Sequence, residues 1–184
     1  MNVLWLFDYY AKGELTINKP SEKYSIVFAG NLKKSNFLKK VDNNLSPYTL
    51  HLYGLPIEYN WPKWIEYEGK FAPDEISDIK GDWGLVWDGD AIDSCAGRIG
   101  DYLKFNSSHK VSLYIASGKP VIVWNKSAIA PFIKKNHLGL CIDSIKEIPH
   151  LLNKINIKDY TSYTESVRNI QRKLRNGEML EQCI

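Results

Sequence analysis

Cysteine is scarce in this 184-residue chain, with Cys95, Cys141 and Cys183 making an odd number without close spacing. That excludes a disulfide framework and a cysteine-based zinc site, and it fits a reducing cytoplasm. A large excess of one charge is also missing. Lysine and arginine number 24 and aspartate and glutamate 21, for a net +3, too mild for a dedicated duplex-DNA binder, and no nucleic-acid partner is expected. No apolar run is long enough to span a bilayer. The first ten residues are apolar up to Asp8, but they lack the basic start and small-residue cleavage site of a signal peptide. They look like a segment made to pack against something.

Several chemical motifs are absent as well. There is no G-x-S-x-G, no H-E-x-x-H, no three-glycine dinucleotide motif and no P-loop, and no cysteine stands beside a histidine. His51, His109, His137 and His150 are scattered without ligand spacing, so no metal site is expected. Aromatic residues, by contrast, are plentiful: 6 Trp, 11 Tyr and 6 Phe. They serve equally as core or as ring platforms for sugars and bases.

Residues 1–21 read as an opening segment and linker, polar from Lys12 to Lys23 with Gly13, Asn18 and Pro20. From residue 22 to 184 a rhythm of short strands and helices follows. The strands are Tyr24–Ala29, Tyr48–Tyr53, Trp64–Tyr67, Trp83–Trp87, Pro120–Trp124 and Gly139–Asp143, most of them closed by Gly, Asn or Asp. The spacing predicts helices over Leu32–Val41, Pro73–Ile79, Ser108–Ser117 and Ser127–Asn136. Two more are predicted, from Ser144 to about Lys154 and from about Lys158 to Arg175. Alternation of this kind implies crossover connections and a doubly wound, mostly parallel α/β sheet, Rossmann-like in form. Ligands then bind outside the carboxyl ends of the strands.

The candidate site residues therefore follow the strands. Gly30-Asn31-Leu-Lys-Lys34-Ser35 offers a sharp turn and cations for a phosphate, though a plain solvated turn explains it as well. Asn106-Ser-Ser108-His109-Lys110-Val-Ser112 places capping residues and then a cation at a helix start. Lys110 there opposes the helix dipole unless it and the dipole together hold an anion. Asp88-Gly89-Asp90 is either a turn or a hold for a cation or sugar hydroxyls. Phe71, before Pro73-Asp-Glu75, is either a staple or a ring that stacks on a base. An anion pocket without a proton-transfer pair suits a donor-binding half better than a complete active site.

Three stretches carry a resemblance: Phe28-Ala-Gly-Asn-Leu-Lys-Lys-Ser35, Trp83-Gly-Leu-Val-Trp-Asp-Gly89, and Asn106 to Trp124 with its His-Lys-x-Ser-Leu-Tyr-x-x-x-Gly-x-Pro-Val-Ile pattern. Over about residues 22 to 155 the chain resembles bacterial GT-B glycosyltransferases, a group that includes galactofuranosyltransferases of polysaccharide clusters and glucosyltransferases of adhesin glycosylation. The resemblance implies the C-terminal, donor-binding domain of an enzyme whose N-terminal domain binds a glycan acceptor and carries any catalytic base. It further implies a UDP-sugar donor, no cofactor and no metal. Lys110 would neutralise the diphosphate, with Asn106, Ser108, His109 and Ser112 around it. Gly30, Asn31 and Lys34 would close over the phosphates, Phe71 would lie near the uracil, and Asp88 or Asp90 would meet the donor sugar. It is also compatible with peripheral association at the inner face of a membrane and with a homo-oligomer. A non-catalytic nucleotide-binding module is the competing reading. Half of a sugar-nucleotide epimerase ranks below it, because the paired acids and histidine such enzymes need are not apparent.

Overall fold

The computed structural model describes residues 4–14, 23–41, 45, 47–95 and 97–181. Most of the linker, residues 15–22, and Cys183 lie outside the described residues. The strands are β1 (Ile26–Ala29), β2 (Leu50–Tyr53), β3 (Ile65–Gly69), β4 (Trp83–Val86), β5 (Val121–Trp124) and β6 (Gly139–Ile142). They form one all-parallel six-stranded sheet in the order β3-β2-β1-β4-β5-β6. The predicted doubly wound α/β architecture is therefore the observed one. Strands β1, β2, β4 and β5 are buried along their whole length, so apolar side chains alternate between two covered faces. Ile26, Phe28, Leu50, Leu52, Trp83, Leu85 and Ile122 build one core. Val27, Ala29, Tyr53, Val86, Val121 and Val123 build the other.

The helices are α1 (Gly97–Asp101), α2 (His109–Ala116), α3 (Ala130–Lys135), α4 (Ile148–Leu152), α5 (Ile157–Arg175) and α6 (Glu178–Glu181). Helix α5 starts with Asn156, whose side chain accepts from the Lys158 and Asp159 amides, while Asp159 accepts in return from the Asn156 amide. Its Tyr160 enters the first core and its Val167 and Leu174 the second, so this helix ties both faces together.

Two predicted helices are absent. Over Leu32–Val41 the chain makes a turn and one 3-10 turn, Asn36–Lys39. The buried residues Leu32, Phe37 and Leu38 do not share one helical stripe. Moreover, Asn31 Oδ1 accepts from the Lys34 amide while the Ser35 hydroxyl donates to the Asn31 carbonyl. Such local bonds compete with a helical ladder. Pro73–Ile79 forms two turns, because the Asp74 carbonyl that would continue a helix accepts from the Lys12 amide at 2.8 Å. Conversely, α1 arises at the end of Asp90–Gly100, a stretch without helical periodicity, and runs on to Asp101. The helix predicted from Ser144 is divided into a 3-10 turn (Ile145–Glu147) and α4.

The apolar opening segment packs on the second core, where Leu6 is fully buried. The Phe7 amide donates to Ser112 Oγ and the Tyr9 amide to the Leu174 carbonyl. The Asp8 carboxylate caps α6 through the Met179 and Leu180 amides, both at 3.0 Å. The Arg175 guanidinium gathers the carbonyls of Ala11 and Gly13, each at 2.7 Å. No helix among the described residues is long and apolar enough to cross a membrane.

Candidate active site at the sheet crevice

The sheet reverses direction between its two central strands: β1 leads outward to β2, and β4 leads the other way to β5. A parallel sheet opens a crevice at such a switch point. Here the opening has a visible cause. Strands β1 and β2 pair over four residues, but β1 and β4 share only Ile26↔Trp83 and Val27↔Gly84. Beyond that pair the Ala29 amide donates to the Tyr114 hydroxyl of α2 at 2.8 Å. The Tyr114 ring lies against Gly84, where a Cβ would collide with it. Full burial holds the Tyr114 hydroxyl well above its ordinary pKa, so it stays protonated beside the strand.

Lys110, the second residue of α2, projects into this crevice. Ser108 caps the helix by accepting from the Lys110 amide. The Lys110 ammonium reaches both Asp88 oxygens, at 3.0 and 2.9 Å, and lies 5.5 Å from the centre of the Phe28 ring. A side chain at Gly30 would bring its Cβ to 3.0 Å from Lys110 Cε, so glycine leaves the lysine its channel. Both members of the pair are about one-fifth exposed, at 19% and 20%, hence open to a ligand yet partly shielded from water.

Gly30 also borders a second feature. A cleft of about 280 Å³ is lined by Ala29, Gly30, Tyr53, Gly54, Lys70, Phe71 and Leu113. Phe71 stands edge-on to Tyr53 with ring centres 5.3 Å apart. An ammonium at a helix start and an aromatic slot thus share one glycine.

The structure brings Gly30, Phe71, Asp88, Ser108 and Lys110 around these two features. Asn31 and Lys34 lie on the exposed turn after β1, with Asn31 committed to local bonds. Asn106 is half-buried in the loop before α2. Two predicted site residues point elsewhere. The His109 ring stacks on Phe7 with centres 4.4 Å apart, and Ser112 is fully buried and accepts from the Phe7 amide. Asp90 accepts from Asn36 Nδ2 at 2.8 Å, bracing the loops that follow β1 and β4. Cys95 is close by, but burial pushes its thiol up to about 12 and makes it a poor nucleophile.

Sequence reasoning missed Phe28, Tyr53, Lys70, Leu113 and Tyr114. Tyr53 and Lys70 sit at or just beyond strand ends, which was a usable signal, whereas Phe28 reads as part of the buried strand β1. Leu113 and Tyr114 read simply as the apolar side of a helix.

Among the described residues one cluster has metal-ligand proximity. His51 Nδ1 and carboxylate oxygens of Glu66 and Glu68 lie within 4.8 Å of one another on β2 and β3. Lys80 Nζ already holds Glu68 at 2.8 Å. Burial alone would raise the Glu68 carboxyl, but Lys80 and His51 bring it below its ordinary range. Lys80 and His51 thus both meet Glu68, and the cluster ties β2 to the edge strand β3.

Residues 26–184 match the family model described as the C-terminal domain of glucosyltransferase 3-like proteins. The chain belongs to that family. Among its relatives, a beta-1,6-galactofuranosyltransferase of Escherichia coli K12, WbbI, is 33% identical over 97% of this chain and 55% of its own length. Glucosyltransferase 3 of Streptococcus gordonii is 28% identical over 89% of this chain and 48% of its own length. The chain spans about half the length of the curated relatives it matches. As a domain of this glucosyltransferase 3-like family, it presents the crevice beside β1 and β4 as its candidate site.

Proposed function

We propose that this domain binds the nucleoside diphosphate part of a UDP-sugar, within a glycosyltransferase whose other half receives a glycan acceptor. The observation that carries the reading is the Lys110 ammonium, set at the capped start of α2, at the switch point, beside a glycine that admits close approach. Hexosyl transfer releases UDP, and the negative charge that develops on the leaving phosphate must be met where it forms. A lysine and the helix start together supply that positive potential. The reaction then needs no metal, and the general base belongs to the acceptor-binding half. The cleft lined by Tyr53 and Phe71 suits a flat base, so on this reading uracil lies on one side of Gly30 and diphosphate on the other. Relatives named for galactofuranosyl and glucosyl transfer make a hexosyl donor the class to test.

Calorimetry with UDP and uridine tests this directly. The expected result is that Lys110→Met weakens UDP at least tenfold and leaves uridine within twofold. Equal losses for both ligands would remove the phosphate role. Transfer from a UDP-hexose is expected when the acceptor-binding half is supplied, and a nucleotide-binding domain that supports no transfer under those conditions would favour the non-catalytic alternative.

A further inference from the structure

An anion site that keeps a carboxylate on its own ammonium calls for a reason. Lys110 has three N–H donors, and both Asp88 oxygens take hydrogen bonds from it, at 3.0 and 2.9 Å. A diphosphate that reaches Lys110 meets this carboxylate in a partly buried setting, where like charges repel more strongly than in open water. The backbone that carries Asp88 is braced beside the lysine. Trp87 Nε1 donates to the Ala91 carbonyl at 2.9 Å and closes the loop, and Gly89 turns it with φ 103°. Gly100 packs flush beneath it, since a Cβ there would come within 3.1 Å of the Asp88 carbonyl oxygen. Gly30 leaves room for the Lys110 stem, and the ammonium also lies 5.5 Å from the centre of the Phe28 ring, so the carboxylate is one of two groups that face it.

We infer that Asp88 is a resident competitor for the Lys110 ammonium: it occupies the charge in the empty site, lowers nucleoside diphosphate affinity, and hastens departure of that product. The inference rests on the nucleotide reading above. Asp88 acts through Lys110, by occupying its N–H donors, and does not touch the reacting atoms. A site that binds its product too firmly is limited by release. A fixed anion beside the phosphate subsite counters that, while the sugar-bearing donor keeps its additional contacts.

The test uses the whole chain with UDP and uridine as probes, on wild type, Asp88→Asn, Lys110→Met and the double variant. Asp88→Asn keeps the shape and removes the charge. It is expected to bind UDP at least tenfold more tightly, to slow UDP dissociation by a similar factor, and to leave uridine within twofold. In the Lys110→Met background the same change is expected to relieve only the direct repulsion and so to gain a smaller factor than in wild type, because the contested ammonium is gone. Asp88→Ser, which removes the charge with a smaller side chain, is expected to shift UDP in the same direction. If both Asp88 variants bind UDP equally or more weakly while Lys110→Met still weakens it, the inference fails and the nucleotide reading stands. If UDP binds no variant and not the wild type, both fall together.

Discussion

Among the described residues, the chain passes from β1 to β3 through turns and 3-10 turns such as Asn36–Lys39, whereas from β4 to β6 it passes through α1, α2 and α3. The candidate site lies at the seam. The helical half contributes Lys110 and Asp88, and the loop half contributes Gly30, Tyr53 and Phe71. A charged group that must meet a phosphate benefits from a capped helix that fixes its origin. A ring that must accommodate a flat ligand can stand on an extended segment braced by one neighbour. Precision and tolerance are thus divided between the halves.

The largest expected effect breaks the helical half. Gly84→Ala puts a methyl into the Tyr114 ring and should cost about 3 kcal/mol. Thermal unfolding should show a midpoint lower by roughly 10 °C. The matching change in the loop half, Gly69→Ala, meets open space and pays only for its φ of 86°, about 1 kcal/mol. Equal losses would erase the contrast.

A second effect sharpens it through pH. Lys119, where α2 hands over to β5, is buried, and desolvation lowers its pKa from 10.5 to about 8, partly opposed by Asp82. Above that value the folded chain has released the proton while the unfolded chain keeps it up to about 10.5. Stability therefore rises with pH across this window, and below about pH 8 the cost of the buried charge is fully present. Urea unfolding should gain about 1.5 kcal/mol between pH 8 and 9.5, and Lys119→Met should flatten that rise.

The smallest stability effect belongs to the loop half. Phe71→Ala, half-buried, should cost less than about 1 kcal/mol in unfolding while weakening UDP and uridine together about tenfold. Loss of UDP alone would remove Phe71 from the base side of the site.

The same division explains what could be read from residues alone. Pro120-Val-Ile-Val-Trp124 and Tyr24-Ser-Ile-Val-Phe-Ala29 declare buried strands by their continuous apolar character, and Asn106 to Ser117 declares a capped helix. The loop half is less legible, because Leu32–Val41 and Pro73–Ile79 have helix-like composition, while bonds from Ser35 and Lys12 divert the backbone. The pairing of Asp88 with Lys110 was hidden for another reason. The two are 22 residues apart, and only the packing of α2 beside β4 joins them. His109 and Ser112 stand next to Lys110 in sequence, yet helical geometry turns them toward Phe7.

The most direct test of the central claim is calorimetric titration of UDP and uridine into the wild-type chain and its Lys110→Met variant. Wild type is expected to prefer UDP to uridine, and the variant to lose this preference by at least tenfold while keeping uridine. A wild-type chain that binds the two ligands alike, or a variant that loses both equally, contradicts a phosphate site at the start of α2.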